Sequence, residues 1–298
     1  MQKNNLHNYA NVNTKKRESH IAEIWKRFRR SKLAMVGFFV ILTVVLLSTF
    51  ASVICNYETD AITQNYDARF LGPSLQHLFG TDDYGRDIFA RVLFGARISL
   101  IVGIVSTAVA CLIACILGSI VAYYGGKVDT ILMRILDVFM GIPTLLLAIA
   151  IAASLGSGIN NLILALIISQ IPGFTRVVRS AVINIVDMEY VEAAKAYGCS
   201  PAYIIVKHIL PNAVGTVIVQ ATMAVAAQIL NTAALSYLGL GQQPPAPELG
   251  YMLSDAKEYM SYCMWGVLFP GLTIATIALS LNLVGDGLRD ALDPRLKN

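Results

Sequence analysis

Charge is scarce in this chain. Only 14% of its 298 residues are Asp, Glu, Lys or Arg, against roughly 25% in a typical soluble domain. Hydrophobic residues make up 56%, and the mean hydropathy is +0.61. A soluble domain would need an outsize core to hide this much apolar surface, so the composition points to an integral membrane protein. Metal and redox chemistry are thinly provided. The cysteines Cys55, Cys111, Cys115, Cys199 and Cys263 form no C-x-x-C pair, and the four histidines are scattered. Cys111 and Cys115 stand four apart in an apolar run and read as space-filling. Cys55 and Cys263 fall on the same outer side, which leaves a disulfide between them open. A phosphate-cradling G-x-x-x-x-G-K-[ST] loop is missing, because Gly125-Gly126-Lys127-Val128 lacks both the spacing and the hydroxyl. No nucleophile–His–Asp constellation and no H-E-x-x-H is present. The chain is therefore expected to be no enzyme by itself and to hold no cofactor or metal of its own.

What is there is a series of apolar runs. Leu33 to Ile54 is 22 residues without a charge, and about 20 residues cross the hydrocarbon core. Further spans are expected at Ile98–Tyr123, from about Thr130 to Ser154, from about Asn161 to the region of Arg176 and Arg179 with a disturbance at Pro172-Gly173, at Ala213–Leu238, and at Met264–Val284. The resulting organisation is a basic segment 1–32, a six-helix membrane domain 33–286 and a tail 287–298. Within the membrane domain, polar loops fall at 56–95, 185–211 and 239–262. Ile21 to Phe28 reads as a short amphipathic helix on the membrane surface. The basic stretch before the first span is too long, and the span too long, for a signal peptide.

Six spans put both ends on one side, and charge selects that side. With the N-terminus inside, 18 of the 23 Lys and Arg lie in inner segments and 5 in outer loops. The positive-inside rule then places both termini and segment 185–211 in the cytoplasm.

Segment 185–211 carries its own helix punctuation. Asp187 is placed to cap a first short helix, with Glu189 in its first turn. Gly198 is placed to stop that helix in a left-handed conformation. Ser200-Pro201 restarts one as N-cap and N1, and Pro211 is expected to end it. The product is a helix–turn–helix knob between two spans. Tyr190, Val191 and Ala194 offer apolar contact to a soluble partner, with Glu192 and Lys195 setting register. An ordinary solvated loop is the alternative reading of these residues.

Glu192-Ala193-Ala194, three residues, Gly198, and then Leu210-Pro211 resemble the "EAA" loop of permease subunits of bacterial ATP-binding cassette (ABC) importers. His208 stands where that pattern has Ile. The form His208-Ile-Leu-Pro-Asn212 is similar to the variant in peptide and nickel permeases. Phe79–Asp87, Gly95–Leu100, Ser236–Gly241 with Pro244-Pro245, and Gly285–Pro294 resemble runs of the "C"-type oligopeptide, dipeptide and nickel permeases, in the same order. One departure is Pro247-Glu248-Leu249-Gly250, where the family often has P-x-W-G. The resemblance implies an all-α integral membrane protein with six transmembrane helices in the type I ABC importer fold, both termini cytoplasmic, in the bacterial plasma membrane. It also implies a heterodimer with a paralogous permease, two cytoplasmic ATPase subunits that bind ATP and Mg, an external substrate-binding protein and surrounding lipid, with no nucleic acid. Glu192, Ala193, Ala194, Gly198, Leu210 and Pro211 would form the ATPase-coupling loop. Di- or oligopeptides are the expected cargo, and nickel or a metal chelate the alternative. A secondary transporter or channel would need inverted repeats and midplane charges; no clear repeat is evident. A scaffold without transport is a third class.

Two features stay open at this level. Arg134 and Asp137, three apart, read either as a structural ion pair near the inner boundary or as part of a translocation path; the pair is preferred. In the Thr81-Asp-Asp-Tyr-Gly-Arg-Asp87 run, Thr81 or Asp82 is placed to cap an interfacial helix from about Tyr84 to Phe94. That helix reads equally as a structural elbow and as a gating element.

Overall fold

The computed structural model describes residues 20–292. The basic residues Lys3, Lys15, Lys16 and Arg17, and the end of the expected tail from Asp293 to Asn298, lie outside the described residues. In chain order the helices are α1 (His20–Phe28), α2 (Lys32–Thr49), α3 (Ala51–Ile54), α4 (Ile88–Tyr124), α5 (Gly126–Met140), α6 (Thr144–Leu155), α7 (Ile159–Val186), α8 (Glu189–Ala196), α9 (Pro201–Ile204), α10 (Leu210–Tyr237), α11 (Leu249–Ala256) and α12 (Met264–Leu292). Five helical stretches are long and apolar enough to cross a membrane: α2, α4, α7, the run Pro201–Tyr237, and α12. The pair α5 and α6, bent by 82°, passes the same test together and makes a sixth candidate span if the two are taken as one. The all-α architecture expected from the apolar runs is the one found, with five to six candidate crossings against the six expected.

Three of the spans differ in shape from the sequence reading. The stretch before the second span is not a separate interfacial helix. Asp87 caps α4 by accepting a hydrogen bond from the Ala90 N–H at 2.9 Å, and the helix then runs unbroken for 37 residues. Neither Thr81 nor Asp82 caps it. The third span is not one rod either. Pro143 has no N–H to continue the ladder, and Gly141 ends α5 with its N–H on the Asp137 carbonyl, so the chain bends there. Conversely α7 runs straight through Pro172. An interior proline removes one ladder bond, which a helix packed on both sides tolerates.

Helix α4 is the central post. It lies along α7, and a Cβ on Gly118 would come within 2.9 Å of the Thr175 carbonyl oxygen and of Val178. Small residues allow this backbone approach, which is how membrane helices gain packing without a hydrophobic drive between them. Two large apolar cores bear on the sites. The inner one joins Val178, Val182, Val191, Ile204 and Ile209. The outer one joins Ile88, Val92, Ile229, Leu249 and Ile277. Helix α1 is pinned by Phe28, which sits with Ala34 and Ala291 at the foot of α2 and α12.

Candidate functional site

The knob is built by backbone chemistry first. Helix α7 ends at Val186, and Asp187 serves as its terminus, with φ −96°. Met188, extended, then starts α8 without a side-chain cap. Asp187 is thus not the cap of α8, because a two-residue connection leaves it committed to the preceding helix. Glu189 and Glu192 lie in the first turn of α8, where the helix dipole favours them. At the far end the Gly198 N–H bonds to the Lys195 carbonyl at 3.0 Å and the Cys199 N–H to Ala194 at 3.1 Å. With Gly198 at φ +76°, this is a Schellman stop. Ser200 then caps α9, its Oγ accepting from the Tyr203 N–H at 3.4 Å, with Pro201 in the first turn.

Pro211 does not end this helix. Ile205–Ile209 form a π-helical turn, in which the Leu210 N–H reaches back five residues to the Ile205 carbonyl, and α10 continues directly. The wider turn accommodates a proline that lacks an N–H and crowds the preceding turn. The Asn212 side chain donates to the His208 carbonyl at 2.6 Å. The His208 ring lies beside Tyr203 and Tyr190, with centroids 5.7 and 6.5 Å apart.

The knob has an inward and an outward face. Val191 and Ala194 are buried in the inner core, so they hold the knob onto the membrane domain and are not free for a partner. Lys195 is also engaged, its Nζ lying 5.3 Å from the centroid of the Tyr123 ring. Glu192, Ala193 and Gly198 face out, as does Pro211, while Leu210 is half-buried. The outward surface is thus a carboxylate beside a small residue on a short, rigidly mounted helix.

Arg134 and Asp137 do not pair with each other. Asp137 is bonded to Arg176 of α7. Asp129 holds Arg179 by two hydrogen bonds, at 2.6 and 2.5 Å. Both carboxylates of α5 are drawn across to α7, and Arg134 has no ion-pair partner among the described residues. These five side chains line an open recess of about 300 Å³.

A second polar cluster braces the outer side. Thr81 Oγ donates to the Ala68 carbonyl and accepts from the Leu71 N–H, and the Thr81 carbonyl accepts from Trp265 at 3.2 Å. Asp82 accepts from the Tyr84 and Arg86 N–H groups. Buried Arg86 lies 2.7 Å from Asp82, 3.8 Å from Asp83 and 3.6 Å from Asp255, and Arg91 lies 3.4 Å from Asp82. Three carboxylates thus face two guanidinium groups. Burial, aided by the neighbouring Asp255 and Asp82, pushes Asp83 up to about 6, and burial also raises Asp255. The T-D-x-x-G-R-D run thus ties the loop before α4 to α11 through Asp255 and to α12 through Trp265. Cys263 packs into this side with its Sγ 3.5 Å from the Thr81 carbonyl. Both Cys55 and Cys263 are free thiols.

Glu248 escaped the sequence reading. It is fully buried, caps α11 by accepting from the Tyr251 N–H at 2.9 Å, and accepts from Ser99 at 3.1 Å. Burial pushes its carboxyl up despite these bonds. The only signal was an acid directly before an apolar helix start in a proline-rich loop.

Comparison with known proteins decides the family. Residues 114–298 match the model of the binding-protein-dependent transport system inner membrane component, and residues 19–73 match that of the N-terminal TM domain of oligopeptide transport permease C. The chain belongs to the binding-protein-dependent ABC importer permeases. This permease is 45% identical over 276 residues to the dipeptide transport system permease protein DppC of Alkalihalophilus pseudofirmus, covering 93% of this chain and 90% of that one. It is 44% identical over 275 residues to the glutathione transport system permease protein GsiD of Escherichia coli, covering 92% and 90%. In fold it is similar to a chain of the MetNI methionine ABC transporter in an inward-facing conformation. That match has a TM-score of 0.58 at 20% identity and covers 69% of this chain and 98% of the other. The permease is a multi-pass protein of the plasma membrane with the type I importer fold.

Proposed function

We propose that this permease imports di- and oligopeptides, paired with a paralogous permease, driven by two cytoplasmic ATPase subunits and supplied by an external binding protein. ATP and Mg belong to the ATPase subunits, and this chain contributes neither catalysis nor a cofactor site. The observation that carries the reading is the knob, whose outward face presents Glu192 and Ala193 on a helix mounted by Val191 and Ala194. A rigid mount turns movement of a docked partner into movement of α7 and α10, which flank it in the chain. Peptide cargo rests on the names of the relatives that match over nearly the whole chain.

The test is reconstitution of both permeases with the ATPase subunits in liposomes, with the binding protein and peptide outside. Uptake should require ATP and every subunit. Uptake by this chain alone, without ATPases, would defeat the reading and favour a secondary transporter.

A further inference from the structure

The recess between α5 and α7 has one cation too many. Three guanidinium groups line it, from Arg134, Arg176 and Arg179, against two carboxylates, from Asp129 and Asp137. Each carboxylate already holds an arginine of α7, so Arg134 carries the surplus charge. Its place at the inner end of the spans makes the surplus significant. Arg176 and Arg179 lie ten and seven residues before the end of α7, or about 15 and 10 Å up the helix from its inner terminus. Charges at the inner end of a span face a protein interior or water, not lipid. Helix α5 is amphipathic in the sense this requires. Ile131, Ile135 and Val138 are exposed on its surface, while Asp129, Met133, Arg134 and Asp137 line the recess. A second observation points the same way. The span breaks directly above, at Gly141-Ile142-Pro143, with a bend of 82°. Irregular backbone at membrane depth is tolerated where it lines an aqueous cavity, and broken spans of transporters mark substrate sites.

We propose that Arg134 receives the C-terminal carboxylate of the peptide on the inner part of its path, with the two flanking ion pairs neutralising Asp129 and Asp137 so that the charge of Arg134 leaves the recess positive. This rests on the peptide reading above and specifies it. The carboxylate is the anionic group common to all unmodified peptides whatever their side chains, so a path serving varied cargo recognises it economically. A guanidinium matches a carboxylate by two parallel hydrogen bonds. Arg134 is exposed to the recess, so the contact is made in water and stays weak enough to release, as passage requires. The recess volume of about 300 Å³ sits at the small end of the ~300–1,000 Å³ range of small-molecule sites. An anionic lipid headgroup offers similar chemistry and is separated by the experiment.

The experiment uses the complete transporter in proteoliposomes at saturating binding protein and peptide. The maximal uptake rates of one dipeptide and of its C-terminal amide are compared. In the wild type the free acid should be favoured. In Arg134→Ala the acid's rate should fall about two- to fivefold, the scale of losing a water-exposed ion pair, and the acid-to-amide ratio should fall with it. Arg134→Lys keeps the charge without the fork and should give an intermediate ratio. Membrane levels and co-purified ATPase, measured for each variant, separate this from misfolding. An unaltered ratio in Arg134→Ala, or equal loss of both rates, overturns the site while leaving peptide import standing. If the loss affects both substrates and occurs only in liposomes containing phosphatidylglycerol, the recess holds a lipid and the proposal is overturned. Absence of wild-type uptake of either form overturns the peptide reading, and this site with it.

Discussion

Gly198 shows how much one residue can decide. At φ +76°, any β-branched side chain is strained by about 1 kcal/mol or more from the backbone alone. Nothing lies within 4 Å of a Cβ built there, so crowding adds nothing to the cost. Gly198→Val should therefore deform the knob while the spans still insert, and Gly198→Asn, which tolerates this conformation, should stay near wild type. Comparing ATPase co-purification for the two variants checks this; equal behaviour would remove the conformational argument. Glu192 is the complementary case, a residue whose value lies in what it meets. A carboxylate at the rim of a docking groove leaves a basic partner unpaired when it is lost, at a cost of a few kcal/mol if the pair is desolvated. Glu192→Lys should weaken ATPase association or uncouple hydrolysis from uptake. Wild-type co-purification together with wild-type substrate-stimulated hydrolysis would show that docking does not use Glu192. Asp83 yields a pH dependence. Its folded value of about 6 lies above the ordinary 3.8, so the folded state holds the proton more tightly. Its contribution to stability is then present in full below about pH 4 and is lost as pH rises towards 6. Asp255, also raised, acts in the same direction. The melting temperature of the detergent-purified permease should fall across that window by less in Asp83→Asn than in the wild type.

At the scale of elements, legibility in the sequence followed locality. The stop at Gly198 and the restart at Ser200-Pro201 were legible because caps are written within three or four residues. The Arg134–Asp137 pair was misread because spacing on one helix says nothing of a partner 39 or 50 residues away. Pro211 was misread because proline usually ends a helix, whereas a π-helical turn carries this one onward. The burial of Glu248 was invisible because it depends on α11 folding back between α4 and α10. That placement makes Gly250 a close-packed position: a Cβ there would lie 2.2 Å from the Ala233 carbonyl oxygen. Backbone cannot yield cheaply, so Gly250→Ala should cost at least the ~1–3 kcal/mol typical of overpacking. A clear drop in melting temperature is expected; an unaltered value would mean that α11 is not docked on α10.

At the scale of the whole molecule, orientation ties the pieces together. The apolar runs gave six expected crossings, of which the fold shows five or six, and charge counting predicts their direction, because basic residues resist passage across the membrane and remain inside. The fold separates the sites along α4: the knob packs at its Tyr123 end and the Asp82–Arg86 elbow at its Ile88 end. On the charge count the knob and the foot of α5 are expected inside, and the elbow and α11 outside. The proposed division of labour depends on that separation, since a binding protein and ATPases on opposite faces would act on one rigid set of helices. Gln64, Gln243 and Ser200 are all exposed, so each can report its side. In a variant without native cysteines, Gln64→Cys and Gln243→Cys should react with an impermeant thiol reagent added to intact cells. Ser200→Cys should react only after the membrane is permeabilised. Protection of both outer positions with labelling of Ser200→Cys would invert the molecule, and with it the roles of knob and elbow. Labelling of all three in intact cells would instead show that the knob is reachable from outside, which no six-crossing arrangement of this chain permits.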